Sequence, residues 1–109
     1  MRIIFDQATP VPIRPYLEGH TVHTASQQGW DKLRNGDLLN AAEEASFDLL
    51  LTTDKNMRYQ QNLAGRKIAL VVLTGTTKWS CVRLHLERIA AVVDAVVKGS
   101  YSEIAIPFD

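Results

Sequence analysis

Residues 49–54 read Leu49-Leu50-Leu51-Thr52-Thr53-Asp54, three large aliphatic side chains followed by two β-branched hydroxyls and an acid. A strand with one wet face alternates apolar and polar residues, because successive side chains point to opposite faces. This run does not alternate. It suits a strand buried on both faces, as central parallel strands are when helices cover the sheet. Ile3 to Phe5 and Ile68 to Leu73 have the same character. Thr21 to Thr24 and Glu103 to Ile106 complete five expected strands. In the last, Ile104 and Ile106 share one face and Glu103 and Ala105 the other, which suits an edge.

The segments between these runs read as helices. Pro10 to Leu17 predicts a short proline-entered helix or turn. Asn35 is placed to cap a helix from Gly36 to Ala45, with Leu38, Leu39, Ala42 and Ala45 inward and Glu43 and Glu44 toward water. Met57 to Leu63 predicts a short helix closed by Gly65. From Lys78 to Lys98, the positions Val82, Leu86, Ile89, Val93 and Val96 recur at spacings of four and three, with Gly99 just beyond. Strands alternating with helices predict an α/β fold, a single three-layer α/β/α domain over residues 1–109 with a central, mainly parallel, five-stranded sheet.

Composition narrows the function classes. The 109 residues, 46% of them hydrophobic, are enough for one core and too few for two. Lys plus Arg and Asp plus Glu each count 12, so no global field draws the chain to nucleic acid, and any such contact must come from a local patch. The lone Cys81 excludes an internal disulfide and a thiolate metal cluster and fits a reducing compartment, so a cytoplasmic location is expected. The apolar run after Arg2 is far too short for a signal peptide or a membrane span, and no membrane association is expected.

Two aspartates directly follow apolar strands, Asp6 after Ile3 to Phe5 and Asp54 after Leu49 to Thr53. In an open parallel sheet both lie at the carboxyl edge, where ligands bind near the switch in strand order. Asp37, in the first turn of the helix after the second strand, starts on the same rim. Three carboxylates held together repel one another unless a hard cation offsets the charge, and Mg²⁺ or Mn²⁺ prefers such oxygen ligands. Each aspartate also has a plainer use, as a helix cap or turn residue.

These residues resemble those of the small PIN-like domains, a family of predicted metal-dependent nucleases often found as the toxin of toxin-antitoxin pairs. The resemblance spans most of the chain. It rests on the strand ending in Asp6 with Pro10 shortly after, on Gly19-His20 before the second strand, on Asp37, and most specifically on Leu51-Thr52-Thr53-Asp54-Lys55. It implies that Asp6, Asp37 and Asp54 are catalytic and hold Mg²⁺ or Mn²⁺ for hydrolysis of RNA phosphodiesters. It also implies a small cognate antitoxin as partner, and since such domains frequently pair, a homodimer. The chain departs from the family at Gln7 and Asn56, where acids are common; beside the ligands, these amides bring oxygen without charge.

Lys55, Arg58, Arg66 and Lys67 are candidates for gripping an RNA backbone near the acids, with Tyr59 to stack on a base, although a solvated helix face is the more usual role of such residues. His20 and His23, three apart on a strand, would face opposite ways and read as structural. His85 reads as a surface residue. Trp30 and Trp79 read as core or interface anchors, with Trp30 able to border the cleft. Ser80 and Cys81 lack a nearby base in sequence. The main alternative is a PIN-like binding module, weak or inactive in catalysis, that docks an antitoxin or nucleic acid. A phosphate-accepting receiver domain fits poorly: it needs a lysine after the last strand and a paired acid at the first, and Pro107 and Gln7 stand there.

Overall fold

The computed structural model describes residues 1–54, 57 and 65–108. Five parallel strands form one sheet: β1 (Arg2–Phe5), β2 (Thr21–Thr24), β3 (Leu49–Thr52), β4 (Ala69–Gly75) and β5 (Tyr101–Ile106), in the order β2-β1-β3-β4-β5. The three non-alternating runs occupy its middle, and every residue of β3 is buried. β5 lies at an edge with Ile104 and Ile106 buried and Glu103 and Ala105 exposed, the alternation its sequence predicts.

The faces bury separate clusters. Ile3, Phe5, Leu49, Leu51, Val71 and Leu73 point to the first face and pack under a 3₁₀ turn (Val11–Tyr16) and two helices, α2 (Trp79–Val82) and α3 (Leu86–Asp94). Ile4, Leu50, Leu70 and Val72 point to the second and pack under α1 (Asn35–Glu44) and Met57. The result is the expected three-layer α/β/α arrangement. The chain moves the same way across the sheet from β2 to β3 and from β4 to β5, yet covers the second face in one case and the first in the other. These two crossovers therefore have opposite hands, a departure from the usual uniform right-handedness.

Several element boundaries differ from the sequence expectation. The residue at the cap position of α1 is Arg34, in extended conformation, so Asn35 begins the helix instead of capping it. The long helix expected from Lys78 to Lys98 is broken by a 3₁₀ turn, Arg83–His85, and stops at Asp94. The apolar stripe Val82, Leu86, Ile89, Val93 runs unbroken through the interruption. Three residues of 3₁₀ geometry shift the phase of a helix by only about a sixth of a turn, so periodicity does not reveal the break. The early end is set by the turn into β5. Gly99 has φ +70°, and a Cβ there would stand 2.5 Å from the Arg66 carbonyl oxygen. Gly65 also has positive φ, and the helix expected at Met57 to Leu63 lies, apart from Met57, outside the described residues.

The carboxyl end of α1 is closed by a paired motif. Phe47 N–H donates to the Ala42 carbonyl and Ser46 N–H to that of Glu43, both at 3.0 Å. The residue between helix and strand in such a closure takes the left-handed conformation, and here it is Ser46, φ 64°, where glycine is the usual occupant. Phe47 follows into the second core, where Trp30 meets it edge-on at 5.9 Å and the Arg2 guanidinium lies 4.4 Å over its ring. Glu43 does not simply face water. It accepts from Arg66 Nη1 at 3.0 Å and from the backbone N–H of Lys67 at 2.7 Å and Ile68 at 3.4 Å. Partial burial raises its pKa, but these backbone hydrogen bonds and the guanidinium outweigh that and leave the carboxyl below its usual range.

Two outcomes follow for stability. Ser46→Gly relieves a left-handed side-chain residue and raises unfolding free energy by about 0.5–1 kcal/mol in urea titrations. The contribution of Glu43 is complete above the unfolded-state pKa of about 4.3 and is lost as pH falls through its lower folded value. Glu43→Gln therefore flattens the decline in melting temperature between about pH 5 and pH 3 and lowers stability at neutral pH.

Candidate functional site

The switch in strand order falls at β1, whose sequence neighbour β2 lies on one side and β3 on the other. Connections leave the carboxyl ends of such a pair in opposite directions and open a crevice between them. Asp6 follows β1 directly and its N–H extends the ladder to the Leu51 carbonyl at 3.3 Å. Asp54 follows β3 by two residues. The loop after β2 folds back over this edge, Ala25 N–H donating to the Phe5 carbonyl at 2.8 Å and Trp30 N–H to that of Ala25 at 2.9 Å. Together they enclose a cleft of about 370 Å³. Asp6, Gln7 and Asp54 form its polar end, Ala25, Trp30, Leu38 and Met57 an apolar wall, and Asp31 and Arg34 an exposed rim.

Two threonines hold the Asp6 carboxylate. Thr9 and Thr52 are 2% and 0% exposed, so their hydroxyls must find partners inside the protein. Asp6 Oδ1 accepts from the Thr9 N–H at 3.0 Å and from the Thr9 hydroxyl, while Oδ2 accepts from the Thr52 hydroxyl. Thr9 Oγ1 also lies 2.9 Å from the Leu51 carbonyl oxygen, and Thr52 Oγ1 accepts from the Asp54 N–H at 3.1 Å. A carboxylate oxygen offers about two lone-pair directions. Those of Oδ1 are both used by Thr9 and one of Oδ2 by Thr52, so among the described residues Asp6 keeps a single oxygen direction to present to a ligand. Thr52 ties the segments together, bonding to the Asp6 carboxylate with its proton and to the Asp54 backbone with its oxygen.

The structure brings two of the three expected aspartates into the cleft. Asp37, exposed in the first turn of α1, is not among the lining residues; the ten-residue loop before the helix places Asp31 and Arg34 there. Among the described residues no three Asp, Glu, His or Cys side chains stand close enough to share an ion. Gln7 lies in the cleft, as a neighbour of the acids should, with its amide nitrogen 3.4 Å from Ser26 Oγ. Asn56, Lys55, Arg58 and Tyr59 lie outside the described residues. Arg66 and Lys67 are not near the acids. They precede β4 at the amino edge of the sheet, and Arg66 is engaged with Glu43 and, at 2.7 Å, with Asn40 Oδ1. At that edge His20 contacts Asp94 Oδ1 through Nε2 at 2.6 Å, just before β2, while His23 meets Phe47 edge-on.

Thr9, Asp31 and Arg34 carried no sequence signal of their own, and Thr52 stood out only as a member of the segment Leu51 to Lys55. The hint for the threonines was spacing, three residues after Asp6 and two before Asp54, which allows side-chain closure of a turn. No family model, curated protein or solved structure matches the chain.

Replacing Thr9 with valine keeps the shape and removes the hydroxyl that meets both Asp6 and the Leu51 carbonyl. Thr9→Val lowers unfolding free energy by about 1–3 kcal/mol, and Thr9→Ser restores most of it, as measured by denaturant unfolding.

Proposed function

We propose that the chain is a metal-dependent ribonuclease of PIN-like type that hydrolyses RNA phosphodiesters with Mg²⁺ or Mn²⁺. The observation that carries this is the shared position of Asp6 and Asp54 in one cleft at the strand-order switch. The pair Asp6 and Asp54 suits a hard cation, since Mg²⁺ takes oxygen ligands and is held by one or two carboxylates while keeping several waters. A bound ion would supply Lewis acidity toward a phosphate oxygen and lower the pKa of a water.

The chain's own residues do the rest. Thr9 and Thr52 fix the Asp6 carboxylate, so its remaining oxygen direction is set before a ligand arrives, which reduces reorganisation on binding. Asp54 supplies the second carboxylate from a segment held by Thr52. Arg34 on the rim offers a fork of N–H donors to a flanking phosphate, and Trp30 offers a surface for an unpaired base. Within the same proposal the partner is a small cognate antitoxin, the location is cytoplasmic, and pairing as a homodimer belongs with it. Among the described residues no helix is long and apolar enough to cross a membrane.

A second reading has its own support. Of the three expected aspartates only Asp6 and Asp54 line the cleft, which supports binding without turnover in the manner of a PIN-like module that docks an antitoxin or nucleic acid.

The two separate in one experiment. Incubated with single-stranded RNA, the protein cleaves in Mn²⁺ and not in EDTA, and Asp6→Asn, with an unchanged far-UV spectrum, loses cleavage by at least about 100-fold. Equal cleavage by wild type and Asp6→Asn removes the nuclease assignment. RNA retention without cleavage by either protein supports the binding module.

A further inference from the structure

A second concavity lies on the other side of the molecule. It runs between Tyr16, at the end of the 3₁₀ turn after β1, and the segment 83–90, where α2 gives way to α3, and its volume is about 710 Å³. These elements cover the first face of the sheet, whereas the apolar wall of the aspartate cleft belongs to the second. The groove is therefore independent of the proposed catalytic site.

Its composition is that of an interface. Tyr16 and Leu84 are 53% and 59% exposed, large apolar side chains flanking one hollow. Leu86 and Ala90 add aliphatic lining. Arg83, His85 and Arg88 stand against a single acid, Glu87. Among the described residues no ion pair engages Arg83, Arg88 or Glu87. Arg88 Nη1 donates to the Ala105 carbonyl at 2.7 Å, which anchors the guanidinium and leaves other N–H groups of its fork for a ligand. Tyrosine and arginine around a concave apolar centre are the residue types in which binding energy concentrates.

We infer that this groove binds an acidic peptide segment of a partner protein, seating an apolar side chain between Tyr16 and Leu84 and placing carboxylates on Arg83 and Arg88. Charge complementarity selects this occupant. A nucleic-acid backbone needs a stripe of cations and gains nothing from Leu84, Leu86 and Ala90. A second copy docking by two-fold symmetry would bring the same arginines toward each other.

The test uses the full chain and a short fluorescein-labelled peptide of alternating Leu and Glu, followed by fluorescence anisotropy. Controls are the same peptide with Lys for Glu, and a labelled single-stranded RNA. The acidic peptide binds, its affinity falls with added salt, and the basic peptide binds at least about tenfold more weakly. Arg83→Glu and Leu84→Asp each weaken acidic-peptide binding by at least about tenfold, with melting temperatures near that of wild type because both positions are exposed. Absence of binding overturns the inference, as does equal binding of acidic and basic peptides or indifference to Arg83→Glu. RNA binding that depends on Arg83 and exceeds that of the acidic peptide overturns it in favour of a nucleic-acid surface.

Discussion

The parallel pairing of β1 with β3 is the constraint on which the rest depends. Its residues come from segments more than forty positions apart, and its ladder runs Ile3 to Leu49, Ile4 to Leu50 and Phe5 to Leu51. All six of those side chains are fully buried, split between the two faces, so a slip of one residue would exchange the contents of both cores. Beyond the last strand pair the Asp6 N–H continues the ladder, and Thr9 reaches across to the same Leu51 carbonyl. Buried polar groups without partners are costly, so this small network both seals the carboxyl edge and holds the acids there. The register that packs the core is thus also the register that positions Asp6 beside the β3 terminus.

The amino edge is closed by charge instead of hydroxyls. Asp48 accepts the Arg2 N–H at 2.8 Å, the Arg2 guanidinium reaches the Ala45 carbonyl, and Glu43 gathers the segment leading into β4. Gly99 lets the strand leading to β5 approach that same segment, its N–H donating to the Lys67 carbonyl at 3.2 Å. Arg66, which composition alone offers as a ligand for phosphate, is in this way part of the scaffold. Its carboxylate partner is held below its usual pKa by the backbone donors it satisfies, so the closure persists across neutral pH.

The first face is shaped by the interruption at Arg83 to His85. Val82 and Ile89 remain buried on either side of it, so the core is served, while the tightened turn sets Leu84 outward beside Tyr16. The early halt at Asp94 brings that carboxylate to His20 at the entrance of β2, fastening the helix end to the far edge strand. One connection therefore packs a core, joins both edges of the sheet and leaves an exposed groove.

Much of the architecture was legible in the residues themselves. Runs such as Leu49-Leu50-Leu51 and Ile68 to Leu73 have no polar face to offer water, and that alone demands a sheet covered on both sides. The alternation in Glu103 to Ile106 demands an edge, and acids directly after such strands must sit at the carboxyl rim. Those statements need only the two-residue period of a strand and the burial of apolar surface. What the sequence could not specify were features set by long-range partners. Whether Asp37 or Asp31 reaches the cleft depends on how the loop from Ala25 to Arg34 folds over β1, through backbone bonds that carry no residue signature. The fate of Arg66 depends on Glu43, 23 positions away, and that of Thr9 on a carbonyl 42 positions away. The break in the long helix leaves the apolar period intact. Periodicity records which side of an element is buried, and only the tertiary structure decides which polar groups meet once it is.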